Sequence, residues 1–158
     1  MMIQGLYAIT PSGLEENDLL SKTEVLLKEG IKLIQYRDKI LDKKTFQEKA
    51  HALLKLTKKY EAKLLINDHV EICLEISADG FHLGLEDYSS EANSELLKKN
   101  KDFISNNLIC GLSCKWNKEL VVNPPENEIK WTYLAVGSFY SSNTKSCLLY
   151  TSPSPRDR

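Results

Sequence analysis

The sequence predicts an α/β fold of parallel βαβ units, arranged as an incomplete (β/α)8 TIM barrel with about six units. Short apolar runs alternate with helical patterns, which is typical of parallel strands joined by crossover helices. Polar residues follow the strand ends, where a barrel gathers its active site. The chain has 158 residues, of which 42% are hydrophobic and 27% charged, enough for one globular domain.

The elements follow in order along the chain. Apolar runs bounded by turn residues predict strands over residues 5–9, 31–36, 63–66, 80–83, 108–112 and 133–136. Apolar side chains at helical spacing predict helices over residues 19–27, 46–60, 70–76 and 90–99. Gly30 supplies a stop for the first of these helices. Pro124 and Pro125 break the fifth crossover, which we therefore expect to be half helix and half loop.

Two closures of such a sheet remain open, a doubly wound sheet and a barrel. The phosphate-binding G-x-G-x-x-G of a doubly wound dinucleotide fold is absent after the first strand, where the sequence has Thr10-Pro11-Ser12-Gly13. Polar residues instead follow five different strands, which favours a barrel: Arg37, Asp68, Asp87, Ser113 and Lys145. Because such barrels usually need about 200 residues or more, six units in residues 1–146 predict a barrel domain cut before its last two strands.

Composition excludes several classes of protein. The formal net charge of −1 gives no basic field for nucleic acid or a membrane surface. The apolar runs are too short for a transmembrane helix, and the N-terminus lacks the pattern of a secretion signal. Four cysteines without a C-x-x-C spacing predict neither a disulfide framework nor a zinc site. We expect a cytoplasmic protein that acts on small molecules; the oligomeric state stays open.

The last residues do not continue the preceding pattern. Cys147–Asp157 resembles the translated read-through of a transposase adapter from DNA library preparation. We therefore expect residues 147–158 to be a non-native scar. A native polar tail is the alternative.

The second predicted strand ends in Gln35-Tyr36-Arg37-Asp38-Lys39. Period-two alternation places Gln35, Arg37 and Lys39 on one side of the chain, so an amide and two cations would point at one place near the rim. Arg offers a rigid fork for phosphate and Lys a flexible charge. A solvated strand end with a surface ion pair is equally compatible with these residues.

Two acids follow neighbouring strands and suggest a magnesium site. Asp68 comes directly after the third strand and Asp87 lies four residues after the fourth. Mg²⁺ typically binds one or two carboxylates together with water and substrate phosphates. Asp68 as a helix cap, Asp87 as an ordinary loop residue and a glycosidase-type acid–base pair are the alternatives.

Further polar residues give weaker signals. Residues 138–145 carry four Ser or Thr hydroxyls and one Lys, which suit a phosphate or an ordinary polar loop. We expect His51 at the surface or in packing, His69 beside Asp68, and His82 as a hydrogen-bonded core histidine. Three cysteines are expected to be buried apolar side chains: Cys73, Cys110 and Cys114.

The order and content of these motifs resemble the thiamine-phosphate synthase family. The resemblance covers residues 6–145 and rests on six blocks: Leu6-Tyr7-Ala8-Ile9-Thr10, residues 30–39, Leu65-Ile66-Asn67-Asp68, residues 78–87, Gly111-Leu112-Ser113 and residues 135–145. It implies a TIM barrel and an Mg²⁺-dependent transferase of thiamine biosynthesis. This enzyme joins a hydroxymethylpyrimidine diphosphate to a thiazole phosphate and releases pyrophosphate.

The resemblance also implies roles for individual residues. The pyrimidine diphosphate would be held by Gln35, Arg37, Lys39, Asn67, Ser113 and Lys145. Asp68 and Asp87 would bind Mg²⁺, and Ser142 and Thr144 would hold the thiazole phosphate. The implied reaction is dissociative: pyrophosphate departs, a pyrimidine-methyl cation forms, and the thiazole nitrogen captures it. No side chain acts as a nucleophile.

Two departures from the family pattern are Leu85, where Gln is common, and Lys115, where His is common. A barrel that ends after six strands is expected to be poorly stable and at best weakly active, because two sheet edges stay open. Two further functions remain open. One is the thiazole tautomerase of the same fold, which needs no metal, and the other is a ligand-binding relic without catalysis.

Overall fold

The computed structural model describes residues 5–125 and 129–137, and all structural statements concern these residues. Six strands lie within them: β1 Tyr7–Ile9, β2 Leu33–Tyr36, β3 Lys63–Asn67, β4 Gly80–Leu83, β5 Ile109–Lys115 and β6 Tyr133–Val136. Seven helices lie between the strands: α1 Glu16–Lys28, α2 Lys43–Lys59, α3 Val70–Ile76, α4 Leu85–Tyr88, α5 Glu91–Lys99, α6 Lys101–Asn107 and α7 Lys118–Val122.

The strands form a parallel sheet in which each strand pairs with the one before it in the chain, in the order β1-β2-β3-β4-β5-β6. A doubly wound sheet reverses its order at a switch point, whereas a barrel adds its strands consecutively around one axis. The consecutive order therefore excludes the doubly wound alternative for the described strands. The predicted fold class, an incomplete barrel, is confirmed as a half-barrel of six parallel strands with alternating helices.

The two faces of the sheet bury different clusters. The outer face packs against the helices in a large apolar core, to which the strands contribute Ile34, Leu64, Ile66, Phe81 and Leu112. The inner face holds a smaller cluster, with Leu33, Leu65 and Ile109 packed against Tyr7 and Tyr133. Because side chains alternate along a strand, successive residues of β2 and β3 serve the two faces in turn.

The best-formed crossover is α2. It begins at Asp42, whose carboxylate accepts a hydrogen bond from the backbone N–H of Thr45 at 3.1 Å. Its buried face is the one that the helical spacing predicts, with Phe46, Ala50, Leu53, Leu54 and Thr57. Each fully buried Leu or Phe of this kind contributes about 1.5–3 kcal/mol to stability. This packing fixes the loop before α2, which carries Arg37 and Lys39.

Several elements differ from the sequence prediction. The one-turn helix α4 places Asp87 on a helix rather than in a loop, and α6 adds a second helix after α5. The fifth crossover is a short helix, α7, followed by Asn123 and the two prolines, as expected. Among the described helices, none combines the length and the apolar character that crossing a bilayer requires.

Candidate functional site

Asp68 stands where β3 ends and is held in a left-handed conformation, with φ of 66°. Its backbone N–H donates to the carbonyl of His82 on the neighbouring strand at 2.9 Å. The carboxylate accepts from Asn67 Nδ2 at 2.6 Å and pairs with Lys39 Nζ at 2.9 Å. A left-handed non-glycine residue costs about 1–3 kcal/mol and is characteristic of functional sites. The Asp68 side chain does not cap α3, because the N-cap position is occupied by His69.

The structure brings Asp87 into contact with Asp68. Burial raises the pKa of Asp87 to about 6, and the negative charge of Asp68 and a hydrogen bond between the two carboxyl groups act in the same direction. Gly84 makes room for this contact, since a Cβ added there would lie 2.9 Å from Asp87 Oδ2. Near neutral pH, two carboxylates thus compete for one small volume and would gain from a shared cation.

Asn93 on α5 joins the loops that carry the two acids. Its Nδ2 donates to the backbone carbonyl of Asp87 at 2.8 Å and to that of Asp68 at 3.2 Å. One side chain therefore links the backbone after β3 to α4. The sequence reasoning missed Asn93, because a single Asn inside a helical segment carries no signal of such a long-range contact.

The cations reach the site from the loop after β2. That strand ends at Tyr36, so the strand alternation expected for Gln35, Arg37 and Lys39 does not continue beyond it. The loop is instead fixed by the buried carboxylate of Asp38, which accepts from the backbone N–H groups of Gly13 and Ile40 at 2.8 and 3.0 Å. Lys39 contacts Asp68, and the half-buried Arg37 lies two residues earlier in the same loop.

A chain of hydrogen-bonded side chains crosses the inner face of the sheet beside the acid pair. Gln35 Nε2 donates to the hydroxyl of Tyr7 at 2.8 Å, and that oxygen lies 2.8 Å from the hydroxyl of Tyr133. The Tyr133 oxygen lies 2.9 Å from His82 Nδ1, and His82 Nε2 lies 2.8 Å from Ser113 Oγ. We call these five side chains the interior polar chain. The expectation of a hydrogen-bonded core histidine at His82 is confirmed.

The remaining candidate residues fall into two groups. Lys145, Ser142 and Thr144 lie outside the described residues, as does the segment 147–158. Within the described part of the chain, His51 is exposed and His69 packs edge-on against Phe46, with ring centroids 4.8 Å apart. The three cysteines expected to be buried are buried, and burial raises the pKa of each thiol: Cys73, Cys110 and Cys114.

The donor set of the site suits a hard cation. The described residues contain no cluster of three or more His, Cys, Asp or Glu side chains able to hold a metal ion. The pair of Asp68 and Asp87 offers oxygen ligands alone, and Mg²⁺ is commonly held by one or two carboxylates with water and substrate oxygens completing its shell. The two mutually repulsive acids, of which Asp68 also pairs with Lys39, fit Mg²⁺ better than zinc.

Comparison with known proteins gives the family to which the sequence is similar. Residues 6–151 match the family described as thiamine monophosphate synthase. Curated relatives include the thiamine-phosphate synthase of Janthinobacterium sp. (strain Marseille), 36% identical over 96% of this chain and 69% of the relative. The thiamine-phosphate synthase of Nitrosospira multiformis is 37% identical over 91% of this chain and 58% of the relative.

A solved structure gives the same result. The thiamine phosphate pyrophosphorylase of Pyrococcus furiosus superimposes with a TM-score of 0.63 at 29% sequence identity, covering 85% of this chain and 60% of that protein. The chain thus spans between 58% and 69% of the length of these three relatives.

Proposed function

Since the chain belongs to the thiamine monophosphate synthase family, we propose that it acts as a transferase in the synthesis of thiamine phosphate. In this reaction the C–O bond between the methylene carbon and the diphosphate of a pyrimidine substrate breaks, and pyrophosphate leaves with the electron pair. The thiazole nitrogen of the second substrate then forms a C–N bond to that carbon. The products are thiamine phosphate and pyrophosphate.

The observation that carries this proposal is the contact between Asp68 and Asp87 at the carboxyl ends of β3 and β4, with Lys39 paired to Asp68. A departing diphosphate needs positive charge close to its oxygens, and a site with two acids supplies it only through a bound cation. The acid–base pair of a glycosidase would not account for Lys39 and Arg37 in the same loop.

We propose that Asp68 and Asp87 hold Mg²⁺. When bound, Mg²⁺ stabilises the negative charge that develops on a leaving diphosphate. Lys39 screens the charge of Asp68 and lies where it can also reach a phosphate oxygen. Asn67 orients Asp68 through its amide hydrogen bond, and Gly84 keeps the space into which the Asp87 carboxylate fits.

The other substrate contacts are proposed from the family resemblance. Gln35, Arg37, Ser113 and Lys145 would complete the pyrimidine diphosphate site, and Ser142 and Thr144 would hold the thiazole phosphate. Of these, Gln35 and Ser113 belong to the interior polar chain, next to the strand end that carries Asp68. The apolar inner cluster below them would keep water away from a carbocation.

The three described cysteines are free and buried, which agrees with the reducing conditions of the cytoplasm, the location that we propose.

The test is to incubate the chain with both substrates and Mg²⁺ and to measure thiamine phosphate and pyrophosphate in equal amounts. We expect Asp87→Asn to lower the rate at least about a hundredfold, as for loss of a group that stabilises a charged transition state. Glu95→Gln, at an exposed carboxylate on α5, is the matched control and should keep the rate. Isomerisation of a thiazole carboxylate without Mg²⁺ would favour the tautomerase instead. Substrate binding without product would favour the relic.

A further inference from the structure

The interior polar chain is a row of hydrogen-bonded side chains on the same face of the sheet as the smaller apolar cluster. Its members come from five strands, and Gln35 is 2% and His82 8% exposed. The rings are closely packed: Tyr133 stacks on His82 with centroids 5.6 Å apart, and Tyr7 meets Tyr133 edge-on at 5.8 Å. Tyr7, Tyr133 and Ser113 are half-buried, and polar groups in such a partly buried row are costly unless each has a partner.

Gly111 is the residue that lets Tyr133 take part. A Cβ added at Gly111 would overlap the ring and the hydroxyl of Tyr133, so a glycine on β5 is required for the ring to lie across it. His82 pairs with Gly111 in the register of β4 and β5, which puts the imidazole directly beside this gap. The position of the Tyr133 hydroxyl between Tyr7 and His82 therefore follows from the packing of the strand.

The direction of the hydrogen bonds is set at the Gln35 end. The amide Nε2 has protons and no acceptor capacity, so the oxygen of Tyr7 accepts there. Burial raises the pKa of Tyr7 to about 12 and also raises that of Tyr133, so both phenols keep their protons at neutral pH. The Tyr7 proton is then directed to the Tyr133 oxygen, and the Tyr133 proton to His82 Nδ1.

A neutral imidazole that accepts at Nδ1 carries its proton on Nε2 and donates from there. That nitrogen faces Ser113 Oγ at 2.8 Å, so the serine oxygen accepts from His82. The contact does not consume the proton of the serine hydroxyl itself, which can therefore be donated to a further group.

We infer that the interior polar chain runs in one direction, from Gln35 to Ser113, and that Tyr133 and His82 are positioning residues that make Ser113 a hydrogen-bond donor toward an anionic ligand. The identity of that ligand, a diphosphate, rests on the proposed function. The direction of the hydrogen bonds in the interior polar chain does not rest on the proposed function. The inference explains why a glycine, two tyrosines and a histidine occupy the inner face of the sheet next to the acid pair. It also assigns roles to Tyr7, His82 and Tyr133, for which the family resemblance gave none.

The direction is tested by nitrogen-15 NMR of the full chain labelled at histidine, at pH 8. The signals of His82 are identified by their loss in His82→Gln. We expect one neutral tautomer with the proton on Nε2. A proton on Nδ1 would mean that His82 donates to Tyr133 and accepts from Ser113, and would overturn the inference.

The anchoring role of Gln35 is tested in the same experiment. Gln35→Met keeps the size of the side chain but removes the donor, so we expect both tautomers of His82 to become populated. Gln47→Met, which removes an exposed glutamine of α2 that donates to Glu75, should leave the spectrum of His82 unchanged. A single Nε2–H tautomer of His82 in Gln35→Met would overturn the anchoring role of Gln35.

The effect on the ligand is tested by calorimetry with inorganic pyrophosphate and Mg²⁺. Tyr133→Phe should weaken pyrophosphate binding roughly threefold to tenfold, the value of one neutral hydrogen bond. Tyr60→Phe, which removes a hydroxyl that donates to Glu24 far from the sheet interior, should bind like the unmodified chain.

Equal binding by Tyr133→Phe and the unmodified chain would overturn the positioning role. If the unmodified chain does not bind pyrophosphate at all, the proposed function and the assignment of a diphosphate fail together. The tautomer of His82 then still decides the direction of the interior polar chain.

Discussion

Replacing Asp87 with Asn tests the repulsion between the two acids of the site. The pKa of Asp87 is raised from 3.8 to about 6, first by burial and then by Asp68. Between about pH 4 and pH 6, the folded chain keeps a proton that the unfolded chain has already released. The contribution of Asp87 to stability therefore falls as the pH rises through this window. The loss of stability caused by ionising Asp87 in the folded chain is complete above about pH 6 and absent below about pH 4.

The size of this effect follows from the same shift. A rise from 3.8 to about 6 corresponds to about 3 kcal/mol when each tenfold change in proton affinity counts about 1.4 kcal/mol. Because the Asp87 side chain is half-exposed, screening by water reduces the expected penalty to about 1 kcal/mol. The Asn variant keeps the shape of the side chain and loses the charge. Its stability relative to the unmodified chain should therefore increase by about 1 kcal/mol between pH 4.5 and pH 7.

The assay is urea unfolding of the unmodified chain and of Asp87→Asn at several pH values, with Glu95→Gln as the control. Any pH-independent effect of the substitution cancels in the difference between the two curves. Mg²⁺ at ten times its dissociation constant should then stabilise the unmodified chain by about 1.4 kcal/mol at pH 7.5 and leave the Asn variant unchanged. Parallel pH curves for the unmodified chain and Asp87→Asn would refute the raised pKa of Asp87.

Three further predictions concern the surroundings of the site. Gly111→Ala places a methyl group against the ring of Tyr133 and should lower the free energy of unfolding by about 1–3 kcal/mol in urea; unchanged stability would contradict the packing. Lys39→Met removes a cation that lowers the pKa of Asp87, so we expect a carbon-13 NMR titration to show a higher pKa for Asp87 in this variant. An unchanged midpoint would contradict the position of Lys39 beside Asp68. Alkylation of the native chain at pH 8, followed by peptide mass spectrometry, should leave the buried thiols of Cys73, Cys110 and Cys114 unmodified. Modification of these thiols before unfolding would show that they are accessible.

The sequence was sufficient for the strands because each is a short apolar run between turn residues. The predicted bounds of β4 and β6 agree with the structure, and β3 differs by one residue at its end. The helix α4 was missed because it is a single turn of four residues, and α6 was missed because Phe103 and Ile104 are its only apolar residues and show no helical period. The strand order settled what the sequence left open between a doubly wound sheet and a barrel.

The site was predicted in part. The sequence predicted that Asp68 and Asp87 lie at one edge of the sheet, because carboxylates after neighbouring parallel strands meet there. Their role in binding a metal ion stays a prediction. Gly84 lies beside the Asp87 carboxylate and Asn93 bridges the backbone of the two acids, contacts that appear only when the tertiary structure is known. The interior polar chain was missed for a similar reason.

Tyr7, His82 and Tyr133 are separated by many residues in the sequence, and only the register of the sheet brings their polar atoms together. Alternation along the strands could have shown that they face inward. It could not have shown which atoms pair.

We propose that Asp68 and Asp87 together hold a divalent cation for a diphosphate. Calorimetric titration of the full chain with Mg²⁺ at pH 7.5, in the presence of inorganic pyrophosphate, tests it most directly. We predict one bound ion for the unmodified chain and for Glu95→Gln, and loss of binding in both Asp68→Asn and Asp87→Asn. Equal Mg²⁺ binding by all four proteins would contradict the claim.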